Sequence, residues 1–163
     1  MSETQGAMIA KFLVAQDQVY PEALHELRAG RKRTHWMWFI FPQIAGLGSS
    51  DMARRYALHG TDEAAAYAQH PILGARLVEC TEAVLLHAPE GVAPRDLNTI
   101  FGAPDDKKFI SSMTLFARAQ PEQRLFRAAL SGPELIDLAD ELELARRYLH
   151  IEQLRFGDRL RVR

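Results

Sequence analysis

The stretch "THWMWFIFPQ", Thr34–Gln43, places both tryptophans of the chain and two of its phenylalanines within ten residues. Tryptophan, phenylalanine and isoleucine favour strands by propensity. Against that, Trp36–Phe41 shows none of the polar alternation of a half-buried strand, and Thr34 stands where it can cap a short helix. Apolar on every side, the segment is buried in either conformation, so Trp36 to Phe41 is expected to be core. A core alone needs neither His35 in front of the run nor Gln43 behind Pro42. These two polar residues mark where the core is expected to open onto a polar cleft.

Around this run the chain has 163 residues and a mass of 18.4 kDa, enough for one domain with a core that stands without disulfides or a structural metal. Its hydrophobic share of 47% and charged share of 25% are those of an ordinary globular protein. A net charge of −1 supplies no global field to recruit nucleic acid or an acidic membrane. The single cysteine, Cys80, excludes an internal disulfide and any multi-cysteine metal site, and points to a reducing, cytoplasmic location. The start "MSETQGAMIAKFLVAQDQ" lacks the pattern of a secretory signal, and Trp36–Phe41 is far too short to cross a bilayer.

Elsewhere, helix signals dominate. Pro21 is expected at the first position of a helix that runs to Ala29 and stops at Gly30. Ser49 or Ser50 can cap a helix beginning near Asp51, and Thr61 starts another. Pro71 opens a longer helix in which Leu73, Leu77, Cys80 and Val84 form one apolar face, ending by Pro89 and Gly91. A helix from about Pro104 buries Phe109, Met113 and Phe116, and Pro121 starts another. Leu135, Leu138, Leu142, Ala145 and Leu149 make a short heptad seam, expected to pack on its own domain or to form a homodimer through the C-terminal helix. The fold expected is all-α or mainly α: a compact single-domain multi-helix bundle with irregular connections over residues 1–163.

Four segments in order, "KFLVAQDQVYPEALHEL", "GRKRTHWMWFIFPQIAGLGSS", "HPILGARLVE" and "IFGAPDDKKFISSMTLF", make the chain resemble the domain-of-unknown-function eighteen-ten family. The resemblance implies a compact, mostly helical domain and no established activity. Automated labelling attaches the name calpastatin to this family. Calpastatin inhibitory segments are disordered and fold on a protease, whereas this chain has a core-forming composition. The segment 132–163 departs from the family pattern.

Several residue sets carry possible chemistry. On one helix, Asp105, Lys108, Ser111 and Ser112 are expected to share a face opposite the apolar stripe, where an ammonium, a carboxylate and two hydroxyls could hold a phosphate or sugar. The same set reads equally as a solvated face with an ion pair. Lys108 as base to Ser111 would require burial to lower the lysine pKa, and the order reverses the Ser-x-x-Lys signature. His35 and His70 can transfer protons near neutrality, or be core histidines bonded to carbonyls. The loop "GLGSSD", with Gly48 and Ser49, can bring backbone and a helix start to an anion, or be a capped turn. Arg76 and Glu79 lie a turn apart and either reach a site or pair on the surface. The basic cluster Arg28, Arg31, Lys32 and Arg33 beside Trp36 and Trp38 suggests nucleic acid, but the tryptophans belong to a run too apolar to be left in water. No spacing of histidine or cysteine suits a metal, and no cofactor is implied.

The reading these residues support first is a binding pocket for an anionic small molecule of nucleotide or sugar-phosphate type, leaving open whether it hydrolyses its ligand. His35, Lys108 and Ser111 are the expected catalytic groups. Lys32, Trp36, Gln43, Gly48, Ser49, His70, Arg76, Glu79, Asp105 and Ser112 are the expected ligand contacts. The alternative is a non-catalytic module that engages protein or nucleic acid.

Overall fold

The computed structural model describes residues 2–88 and 91–130. The leucine seam expected over Leu135–Leu149 lies outside the described residues. Those described form eight α-helices and no strand, joined by short irregular connections with one isolated bridge between Ile44 and Leu58. None of their helices is long and apolar enough to cross a membrane.

Helix α1, Glu3–Ala29, starts in a capping box: the Ser2 hydroxyl accepts from Gln5 N–H while the Gln5 side chain accepts from Ser2 N–H. Pro21 lies inside this helix instead of starting one. An interior proline costs about 3 kcal/mol through its lost hydrogen bond and ring clash. The buried stripe runs across it, from Met8, Phe12 and Gln16 to Ala23, Leu24 and Leu27, so packing outweighs the local penalty.

Gly30 ends α1 as expected, in the left-handed conformation with φ 78°, its N–H donating to the carbonyls of Glu26 and Leu27. A Cβ there would stand 2.8 Å from Arg95 Cδ and 2.9 Å from His87 Cε1, so the position needs glycine for space as well as for φ. The buried His87 ring lies 2.8 Å from both the Leu27 and the Ala93 carbonyl oxygens, fastening the loop after α5 to the end of α1.

The chain then reverses around one carboxylate. Glu26, only 2% exposed, accepts from the Arg33 N–H at 2.7 Å, the Thr34 N–H at 2.9 Å, the Thr34 hydroxyl at 2.7 Å and Trp36 Nε1 at 3.0 Å. Thr34 is thereby used as a donor to Glu26, and the short helix α2, Met37–Ile40, begins at Trp36 without a side-chain cap. Its last turn is satisfied from outside: Gln16 and Tyr67 both donate to the Phe39 carbonyl. Trp36, Met37, Ile40 and Phe41 are buried, but Trp38 and Phe39 are half-exposed, so the run is not core throughout.

Ser50 caps α3, Asp51–Arg55, by accepting from the Ala53 N–H. Helix α4, Thr61–Gln69, follows Gly60. Helix α5, Leu73–Leu85, buries Leu73, Leu77, Cys80 and Val84, as their spacing predicts, and packs against α1 and α4. Helix α6, Leu97–Phe101, capped by Asp96 through the Thr99 N–H, was not foreseen. Helix α7, Asp105–Ala119, places Phe109, Met113 and Phe116 at 0% exposure and packs against α4, α6 and α8, Arg124–Leu130.

Two aromatic groups fill the interior. Phe41, Phe101 and Phe109 meet at centroid separations of 5.0 to 6.0 Å, with Trp36 beside them. Phe12, Tyr67, Phe116 and Phe126 form the second, between α1, α4, α7 and α8.

Burial alone would raise the pKa of Glu26, but its four hydrogen bonds outweigh that and hold it below the ordinary 4.5. A carboxylate depressed by folding stabilises the protein above its unfolded pKa, and that contribution is lost as pH falls through the folded value. Glu26→Gln should therefore cost about 2 kcal/mol at pH 7. In urea titrations at a series of pH values, the difference from wild type should shrink on acidification below about pH 4. A difference independent of pH would show that the charge plays no part.

Candidate functional site

A cavity of about 470 Å³ lies between α2, the loop that follows it, α3 and the first turns of α7. That volume lies within the range of about 300–1,000 Å³ common to small-molecule sites. Trp38, Phe41 and Tyr56 supply aromatic wall, and Met37, Ile44 and Leu47 aliphatic wall. Its polar groups are the Gln43 amide, the Ser49, Ser50 and Ser111 hydroxyls, and the ammoniums of Lys107 and Lys108. The charged side chains of the lining are thus both cationic.

Each wall has a local cause. The Glu26 hub sends Trp36 inward, and the helical turn that follows directs the half-buried Trp38 to the cavity. After Phe41, the Pro42 carbonyl accepts from Ser112 Oγ at 2.8 Å, and the Gln43 carbonyl accepts from the Leu58 N–H at 2.8 Å. The loop closes on α3 at Gly48, where a Cβ would stand 2.5 Å from the Ala53 Cβ. Gly48 thus serves the protein's own packing while it also lines the cavity.

Lys108 is the best-connected polar residue of the wall. Its Nζ lies 3.4 Å from Asp105 Oδ1 and 5.8 Å from the centre of the Trp38 ring. Asp105 Oδ2 is 3.0 Å from Lys32 Nζ, which in turn stands 5.2 Å from the Trp36 ring. Lys32 and Asp105 therefore reach the cavity through Lys108 and do not line it.

Of the residues expected from the sequence, Gln43, Gly48, Ser49, Lys108 and Ser111 share this cavity. Trp36 does not: it is fully buried with its indole N–H spent on Glu26. Ser112 is at 0% exposure with its hydroxyl on the Pro42 carbonyl, because α7 is buried on two sides and not on one stripe. His35 is exposed at the turn before α2 and does not line the cavity. His70 accepts from the Ile72 and Leu73 N–H groups through Nδ1, as a cap for α5.

Arg76 and Glu79 belong to a separate polar seam between α5 and α1. Arg76 covers the Tyr20 ring at 4.8 Å and reaches Asp17 at 3.5 Å, while Glu79 accepts from Tyr20 OH and pairs with Arg28 at 3.1 Å. Burial, then the hydrogen bond to Glu79, raises the Tyr20 pKa. Of the basic cluster, Arg28 pairs with Glu79 and Lys32 with Asp105, while Arg31 and Arg33 are exposed. Burial, reinforced by the Glu79 charge, pushes the Cys80 thiol up to about 12, so it is no nucleophile. Among the described residues no group of three histidines, cysteines or carboxylates could hold a metal ion.

Sequence reasoning missed Trp38, Tyr56 and Lys107 as cavity residues. Lys107 adjoins Lys108 and was legible as a second cation. Tyr56 carried no signal, because only the docking of α3 brings it there.

The model of the family described as "Protein of unknown function (DUF1810)" matches residues 7–132. A shorter match, to the family described as "Histidine kinase", covers residues 110–160, less than half of the chain. No curated protein matches. Among solved structures, the crystal structure of the conserved hypothetical protein Rv1873 from Mycobacterium tuberculosis, at 1.38 Å, is similar with a TM-score of 0.73 and 46% identity. The similarity covers 88% of this chain and 94% of that one.

The adjacent residues Trp36 and His35 should separate sharply in chemical denaturation. Trp36→Ala should cost about 3–5 kcal/mol, as expected for a fully buried indole. His35→Ala should stay within about 0.5 kcal/mol of wild type. Equal losses would contradict the outward placement of His35.

Proposed function

The chain belongs to the DUF1810 family, and we propose that it binds a small anionic ligand of nucleotide or sugar-phosphate type in the cavity between α2, α3 and α7. The observation that carries this reading is the make-up of the lining: aromatic walls, three hydroxyls and two ammoniums around one concavity. Anions are bound in such places by charge-assisted hydrogen bonds, which are stronger where water is partly excluded. Lys108, with side-chain exposure of 34%, is the central charge partner, and Ser49, Ser50 and Ser111 add hydroxyl donors.

Binding is favoured over hydrolysis because, among the described residues, the lining presents neither a carboxylate nor an imidazole as general acid or base. The interaction-module reading keeps Arg31 and Arg33 as exposed cations, while Arg28 and Lys32 are paired with Glu79 and Asp105.

A thermal-shift screen with nucleotides and sugar phosphates tests the proposal. Ligand at one hundred times its dissociation constant stabilises the native state by about 2.7 kcal/mol. The shift should be largely lost in Lys108→Ala and should weaken with added salt. His35→Ala and Arg76→Ala should keep it, because neither residue lines the cavity. A shift that survives Lys108→Ala but vanishes in Arg76→Ala would move the ligand to the seam between α1 and α5.

A further inference from the structure

The floor of this cavity differs from its rim. At the rim, Ser49 and Lys107 are exposed and Lys108 is half-buried. At the floor, Phe41 and Ile44 are at 0% and 1% exposure and Met37 at 3%. Gln43, between Phe41 and Ile44 in sequence and on the same wall, has its Nε2 out of solvent contact and without a hydrogen-bond partner among the described residues. Among the described residues it is the one buried side-chain nitrogen or oxygen in that condition.

An amide N–H group buried in this way destabilises a fold unless something brings it an acceptor, and such groups are few in native proteins. Nor is the side chain in a loosely held segment. The carbonyls of Pro42 and Gln43 are bonded to Ser112 and Leu58, and the Ala45 N–H donates to the Leu58 carbonyl at 2.8 Å. A fixed backbone thus carries, on a partly exposed side chain that lines the cavity, an unsatisfied donor turned just behind the wall.

We propose that Gln43 is a specificity-determining residue and that the ligand is a nucleotide: its heterocycle occupies the floor and its phosphate meets the lysines and serines at the rim. The phosphate end rests on the anion-binding reading above; the heterocycle end rests on the floor alone. A planar ring offers apolar faces to the Trp38 and Tyr56 rings and, once the partly exposed Gln43 side chain turns its amide toward the cavity, a ring nitrogen or carbonyl oxygen to Nε2. A sugar phosphate would carry several hydroxyls onto a floor of Met37, Phe41 and Ile44 with one amide to meet them, leaving most unpaired.

Calorimetric titration distinguishes the two ends. The four common nucleoside monophosphates, their nucleosides and ribose 5-phosphate are titrated into wild type, Gln43→Leu and Lys108→Ala. At least one nucleotide should bind wild type about tenfold or more tightly than ribose 5-phosphate does. Gln43→Leu should lose about tenfold of that nucleotide's affinity while leaving ribose 5-phosphate unchanged. The Tm of ligand-free Gln43→Leu should not fall, because an unpaired amide is replaced by an apolar group of similar size.

Ribose 5-phosphate binding as tightly as every nucleotide would overturn the heterocycle assignment and leave the anion-binding reading standing. Nucleosides that bind through Gln43 with no gain from phosphate would support the floor and overturn the anion-binding reading. A lower Tm with unchanged nucleotide affinity in Gln43→Leu would make the residue structural and overturn the inference. No binding by any of these ligands would overturn both readings.

Discussion

One carboxylate organises the first half of this fold. Glu26 sits in the last turn of α1, where the helix leaves carbonyls but no free N–H groups, and takes four donors from residues 33 to 36. Because the acceptor is charged, the bonds are stronger than those of neutral partners, and they offset the burial of a carboxylate at 2% exposure. The geometry that results is narrow. Trp36 has to point at Glu26, and so into the core; residues of the next helical turn then divide between the core and the cavity.

A second carboxylate links that core to the site. Asp105 stands between Lys32 and Lys108, with side-chain exposures of 18%, 9% and 34% respectively. The Lys32 pair is the better buried and the shorter, so Asp105 remains neutralised if Lys108 turns toward an anion. Lys108 can then exchange partners without stranding a buried charge. That is a useful property in a residue at a cavity rim, and it depends on Lys32 being inward rather than part of a basic surface.

Arg76 and Glu79 show how residues suited to a site can serve the fold instead. Both extend from α5 onto α1, where Tyr20, Asp17 and Arg28 occupy them. Their helical spacing was legible; their neighbours were not, since α1 and α5 are joined by no local signal. His70 is similar: read from sequence as a proton-transfer group or a histidine bonded to a carbonyl, it instead accepts through Nδ1 from two N–H groups at the start of α5.

The sequence by itself determined the helical class, the stop at Gly30, the apolar faces of α5 and α7, and the family to which the chain belongs. These follow from local rules: side-chain periodicity, capping chemistry and the conformational freedom of glycine act within one or two turns. Of the aromatic run it determined burial in general, and it marked Gln43 as out of place in a pure core. Only the tertiary structure decided that α1 continues through Pro21, that Trp36 is core while Trp38 faces a cavity, and that Lys108 and Ser111 share that cavity with Gln43 while His35 does not. Those outcomes depend on contacts outside any one helix, Glu26 with residues 33 to 36, Asp105 with Lys32 and Leu58 with Gln43, and a contact of that kind leaves no periodic trace in the segments that make it.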